Sequence, residues 1–156
     1  ELAAANPKLR FCMICSKVPA HLKYFEEVRT MAGELQNVTF FDFVKYDEVY
    51  TLLAKSKIFC ITSDYEGDWP MTVLEATATG LPVLSYKLNY GELIDNYMAG
   101  FYSYCNLKLL NNNLCKLLNN TKYLNRSSEY ARNYAYTIHN ISYNISTFIS
   151  YLKDNM

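Results

Sequence analysis

The chain has 156 residues, enough for one domain with a sizeable core, and 51% of them are apolar. Fifteen Lys and Arg balance fifteen Asp and Glu, so the net charge is zero and the basic excess of a nucleic-acid surface is excluded. No run approaches the ~18 apolar residues of a transmembrane helix, and the opening Glu1-Leu-Ala-Ala-Ala-Asn-Pro7 does not read as a secretory signal.

Strands and helices alternate along the first two thirds. Residues 2–6 read as a helix end stopped before Pro7, and residues 9–15 as a strand. Leu22, Phe25, Val28, Ala32 and Leu35 recur at three- and four-residue steps, which predicts a helix over 20–35. A second strand covers 38–43, and a short helix covers 47–56 with Asp47 as its cap. Ile58-Phe-Cys-Ile61 has the length and β-branched content of a buried strand. A polar loop over 62–69 follows. Pro70 suits a first helical position, because its φ is preset and its missing N–H has no partner there to lose. The helix over 71–79 is closed by Gly80 and Pro82, and residues 82–85 form the fourth strand. One or two helical turns over 92–96 and a short edge strand at Phe101 and Tyr102 come next. Three amphipathic helices end the chain, over 107–118, 124–138 and 141–152.

This order predicts an α/β fold: a doubly wound, Rossmann-like parallel sheet covered by helices, as one domain over 1–156 with C-terminal helices at about 107–154. A doubly wound domain normally opens on a strand. Here a helix end comes first, so Glu1 is expected to be internal, with a first strand, its loop and a further domain missing upstream. The five cysteines are odd in number. Cys12 and Cys15 form a Cys-x-x-Cys on opposite faces of one strand, with no second pair to complete a zinc site. They are expected to behave as buried small apolar residues in a reducing compartment. Asn-x-Ser/Thr triplets begin at Asn37, Asn119, Asn125, Asn140 and Asn144; in so Asn-rich a chain they are read as chance.

The densest pattern is Ser63-Asp-Tyr-Glu-Gly67 followed by Leu74-Glu-Ala-Thr-Ala-Thr-Gly-Leu-Pro-Val83. It resembles the C-terminal domain of family 4, retaining glycosyltransferases of the GT-B fold, which carry Ser-x-x-Glu-Gly and then Glu-Ala-x-Ala-x-Gly-x-Pro-Val. Residues 37–44, 48–57, 92–94 and 100–101 are similar to flanking parts of that domain, so the likeness runs over nearly the whole chain. It implies a donor-binding half that works with an N-terminal acceptor domain absent from these residues. The donor would be a UDP- or GDP-linked sugar and the acceptor a glycan, a glycolipid or a cell-envelope polymer. Anomeric configuration would be retained, with no metal and no other cofactor. The resemblance also places the activity in the cytoplasm, with possible peripheral association of the full-length protein at the inner face of the membrane. Transfer would require both halves, so residues 1–156 alone are expected to be inactive.

Residue by residue, the resemblance makes Glu66 the catalytic contact to the donor sugar and gives Glu75 the ribose diol. Gly67 would let the backbone approach the sugar. Met71, Thr72 and Val73 would offer free N–H groups to the diphosphate at a helix start, since Trp69 is a poor capping side chain. Asp68 and Trp69 fall in the same donor loop, and position makes Lys45 and Tyr46 candidates for bordering the base. Alone, Glu66 reads as a solvated loop carboxylate, Glu75 as an exposed helix residue, and Trp69 as packing. The chain also departs from the family. Eight residues separate Glu66 from Glu75 where the family has seven, and Asn96-Tyr97 replaces its Asp-Gly turn. His21 and His139 lie away from the loop and read as surface or core residues. The departures leave a second reading, a non-catalytic relative that binds or scaffolds a partner. A sugar-nucleotide epimerase of the same fold lacks the Glu-Gly…Glu-Ala pattern.

Overall fold

The computed structural model describes residues 1–63 and 70–155. The chain divides into two compact units, Glu1–Lys55 and Ser56–Met156, each with its own parallel sheet.

The first unit contains α1 (Leu2–Ala5), β1 (Phe11–Ile14), a 3₁₀ turn (Pro19–His21), α2 (Leu22–Gly33), β2 (Val38–Phe41) and α3 (Tyr46–Ala54). β1 and β2 pair in parallel from Phe11 opposite Val38 to Ile14 opposite Phe41. The face predicted over 20–35 forms in part: the helix runs only Leu22–Gly33, Phe25 and Ala32 are buried with the Phe25 ring edge-on to Phe40 at 5.8 Å, while Val28 is half-buried, Leu22 is exposed and Leu35 lies past the helix end. One side chain ties the start of this unit together. The Asn37 amide nitrogen donates toward the carbonyls of Ala3, Asn6 and Leu9 at 3.0, 3.0 and 2.9 Å. Asp47 does not cap α3. Lys45 holds the N-cap position, and its N–H reaches back to the Glu48 carboxylate at 3.4 Å. The cysteines also differ from expectation: Cys12, Cys60 and Cys105 are exposed, and Cys15 and Cys115 are half-buried. Burial in a sheet depends on what covers each face, which residue type does not settle.

The second unit contains β3 (Phe59–Ile61), α4 (Met71–Ala78), β4 (Val83–Ser85), a π-type turn (Glu92–Asn96), β5 (Gly100–Tyr102) and the three helices α5 (Leu107–Asn119), α6 (Thr121–Ile138) and α7 (Ile141–Asp154). The strand order is β3-β4-β5, all parallel, with β5 on the edge as read. β4 is buried at every position, the signature of a parallel strand covered on both faces. Val73, Val83, Leu93, Ala131 and Tyr134 form the centre of its core. Each fully buried aliphatic side chain of this kind contributes about 1.5–3 kcal/mol.

Asparagine starts all three C-terminal helices. The Oδ1 atoms of Asn106, Asn120 and Asn140 accept from the N–H groups of Leu109, Tyr123 and Tyr143 at 2.9, 2.9 and 3.0 Å. The predicted apolar face of α5 is realised by buried Leu110, Leu114 and Leu117. α7 differs: Ile141, Ile145, Phe148, Ile149 and Leu152 are all exposed, and none of its described residues is buried.

Candidate functional site

Helix α4 positions the site, and both of its ends are defined by backbone chemistry. Val73, Ala76 and Thr77 are buried on one face, at the spacing that seats a helix on a core. At the C-terminal end, Gly80 N–H donates to Thr77 O at 2.8 Å and Leu81 N–H to Ala76 O at 2.9 Å. These are the two hydrogen bonds of a Schellman motif, and Gly80 supplies the left-handed residue it needs, with φ +82°. The guanidinium of Arg132, on α6, lies against the glycine. A Cβ there would sit 2.5 Å from Arg132 Nε.

The other end is less self-sufficient. Pro70 sits at the N-cap with φ −65° and ψ 127°, one position before the expected first turn. A proline cap has no side-chain oxygen to offer the first N–H groups. Its carbonyl accepts from Val73 N–H at 2.9 Å and, at 3.4 Å, from Leu74 N–H. Val73 N–H is therefore engaged, and the Val73 side chain is buried. Met71 and Thr72 are exposed, and their N–H groups have no hydrogen-bond partner among the described residues. They point out of the positive end of the helix, where an anion is favoured by about 0.3–1 kcal/mol even at an exposed site. Glu75 stands one turn further on, half-buried.

The sheet brings more residues to the same end. Ile61, Ser85 and Tyr102 are the last residues of their strands and lie in one register row. Ligands in open α/β sheets bind beyond this carboxyl edge. Ser85 Oγ turns back to the Leu88 carbonyl and so closes the loop after β4. Among the remaining sequence candidates, Glu66, Gly67, Asp68 and Trp69 lie outside the described residues. Lys45 and Tyr46 belong to the first unit, at the start of α3. His21 is exposed. His139 ends α6 and shares a 3.0 Å hydrogen bond with the hydroxyl of buried Tyr134. Its pKa is lowered by burial, a shift opposed by the Glu92 carboxylate. Burial, then Glu92 and Tyr97, holds the Tyr134 hydroxyl protonated well above the usual tyrosine range. Among the described residues, no group of three or more His, Cys, Asp or Glu could hold a metal, and no helix is long and apolar enough to cross a membrane.

Two residues to which the sequence assigns no site role belong to this edge. Tyr102 and Tyr104 pack ring to ring at 4.3 Å where the chain leaves β5. Their signal in the sequence is a Tyr-Ser-Tyr in a stretch, Phe101 to Leu107, that carries no charged side chain.

Parallel strands, a helix start facing their carboxyl edge, and packing helices behind are arranged as in the C-terminal domain of the GT-B fold. The chain belongs to the family described as glycosyl transferases group 1, whose model matches residues 2–134. Among solved structures it is similar to WaaG, a glycosyltransferase involved in lipopolysaccharide biosynthesis. That similarity has a TM-score of 0.62 at 21% sequence identity and covers 87% of this chain. It takes in 46% of WaaG, so the chain spans less than half of that protein's length. No curated protein gives a significant match.

Proposed function

We propose that the chain is the donor-binding half of a retaining hexosyltransferase of the family 4 type. It would act with an acceptor-binding domain to move a sugar from a UDP- or GDP-linked donor to a glycan or lipid-linked acceptor. The observation that carries this reading is the start of α4: two outward N–H groups at Met71 and Thr72, with the Glu75 carboxylate one turn behind them. An anion site followed at that spacing by a hydroxyl acceptor suits a diphosphate and the adjoining ribose diol. The similarity to an enzyme of lipopolysaccharide biosynthesis supports an envelope-type acceptor, met at the inner face of the membrane.

In this reading the bond between the anomeric carbon and the diphosphate oxygen breaks, and a bond from that carbon to the acceptor oxygen forms on the same face. The acceptor proton passes to the departing diphosphate. The α4 N–H groups stabilise the charge that grows on that leaving group, as preorganised dipoles do best. Glu66 holds the donor sugar, and Gly67, Asp68 and Trp69 complete its loop. No metal is required, because the helix start supplies the electrostatic stabilisation.

Calorimetry with UDP and GDP tests the reading. One of the two is expected to bind, and Glu75→Gln, which keeps the shape and removes the charge, is expected to lower that affinity tenfold or more, from a charge-assisted bond of about 1.5–3 kcal/mol. Unchanged affinity would remove Glu75 from the site. Without the second domain, residues 1–156 are expected to transfer no sugar, since transfer needs donor and acceptor positioned together.

A further inference from the structure

Beyond the row Ile61, Ser85 and Tyr102, the chain leaves β5 through a loop with an uncommon backbone. Tyr104 and Cys105 are consecutive left-handed residues, with φ 50° and 57°, and neither is glycine. They are the central pair of a tight turn closed by Asn106 N–H on Ser103 O, a turn type that favours Gly, Asn and Asp, so Tyr and Cys sit there against local preference. The surroundings that hold them are explicit. Ser103 N–H donates to Ser85 O at 2.9 Å and Cys105 N–H to Tyr86 O at 2.9 Å, which fastens the loop to the end of β4. Asn106 N–H donates to Ser103 O at 2.8 Å, while the Asn106 side chain caps α5.

What this fixed loop presents is an aromatic surface. Tyr104 is 70% exposed, and its ring leans at 45° on that of Tyr102. Other exposed tyrosines have a simpler account: Tyr46 and Tyr50 are an i,i+4 pair on α3, and Tyr136, Tyr143 and Tyr151 ride on helices. The Tyr104 position follows from no helix or strand period. The stretch that carries it, Asn96 to Leu107, has no charged side chain of its own, which suits a neutral polyol better than a phosphate group. Rigid tyrosines offer such a ligand a flat apolar face and a hydroxyl at low entropic cost.

We propose that the Tyr102–Tyr104 pair is a stacking platform for a neutral sugar ring of the acceptor. This rests on the donor reading of α4. Strands in a sheet lie about 4.8 Å apart, so Tyr102 stands about 10 Å along the edge from Ile61, the residue that leads toward α4. A donor at the helix start and an acceptor on the tyrosines would meet over the middle of one edge.

Saturation-transfer NMR with methyl α-D-glucopyranoside, methyl β-D-galactopyranoside and maltotriose tests the platform, with UDP and GDP calorimetry run in parallel. Tyr104→Gly is the informative variant, because glycine accepts φ 50° without strain and preserves the loop. Saturation of the ring protons of at least one saccharide is expected, falling about fivefold in Tyr104→Gly and returning in Tyr104→Phe, with nucleotide affinity unchanged throughout. No transfer to any of the three, or equal transfer in Tyr104→Gly, would overturn the proposal. So would joint loss of saccharide and nucleotide binding in Tyr104→Gly, which would place the ring in the donor site. A Tyr104-dependent saccharide signal without UDP or GDP binding would instead overturn the donor reading and leave the platform standing.

Discussion

Replacing Gly80 by alanine perturbs the C-terminal end of α4 through two separable effects. The first is backbone strain, since φ +82° costs a residue with a Cβ about 1–2 kcal/mol. The second is steric. The new Cβ would lie 2.5 Å from Arg132 Nε, so the guanidinium has to leave its place. A flexible exposed side chain can do so at about 0.5–1.5 kcal/mol. Against these, alanine restricts the unfolded chain and returns about 0.4–1 kcal/mol. The net loss is about 0.5–3 kcal/mol, a fall in Tm of roughly 1–12 °C for a chain of this size. Calorimetric scans of Gly80→Ala, Arg132→Ala and the double variant separate the terms. Arg132→Ala alone, at an exposed site, is expected within about 0.5 kcal/mol of wild type. In its background Gly80→Ala should lose the steric part and retain the strain. A cost unchanged by removal of Arg132 would refute the guanidinium contact, and no cost at all would refute the left-handed cap.

Gly100→Ala is expected to be far more damaging, because its Cβ would fall 1.9 Å from Val83 O, a backbone atom of the neighbouring strand that cannot swing away; loss of the cooperative unfolding transition in circular dichroism is the expected result. Glu66→Ala is expected to weaken a nucleotide sugar and hardly affect the bare nucleoside diphosphate, so equal losses in calorimetry would show that Glu66 does not contact the sugar. His139 is held toward its neutral form, with a pKa below its ordinary 6.5. Its contribution is therefore complete above that pH and lost as pH falls through the lowered folded value. The unfolding midpoint should drop on acidification, and the drop should shrink in His139→Gln; an imidazole titrating in NMR at or above its ordinary value would contradict this.

Long periodic elements were legible in the sequence, and the devices at their ends were not. The α5 and α6 faces and the Gly80 closure follow from spacing and from the one residue type that accepts a left-handed φ. Strands are shorter than their apolar runs: the strand expected over 9–15 is Phe11–Ile14, because a ladder stops where its partner stops and composition does not. At α3 and α4 the cap position is held by residues with poor capping side chains. Lys45 holds the position expected of Asp47, and Pro70 sits one step earlier in α4 than its N1 preference suggests. For the site, Glu75 and the open helix start at Met71 and Thr72 were visible as motif. The engagement of Val73 N–H was not, since it depends on which carbonyl lies three residues back in a non-helical cap. The Tyr104–Cys105 turn was hidden for a stronger reason. The residue types oppose it, and beside its own closing bond from Asn106 N–H to Ser103 O it is held by hydrogen bonds to Ser85 and Tyr86, distant in sequence.

The Asn37 amide also bears on how this chain meets a glycosylating cell. Asn37-Val-Thr39 is an acceptor triplet, and oligosaccharide transfer would replace a hydrogen on Asn37 Nδ2. That nitrogen is already surrounded by the carbonyls of Ala3, Asn6 and Leu9, within 3.0 Å of each. A glycan there would displace these partners and pull α1 away from the entry to β2. In the folded chain the nitrogen is closed to modification. Expressed through a secretory host, protein modified at Asn37 would be a record of chains caught before their first helix had settled.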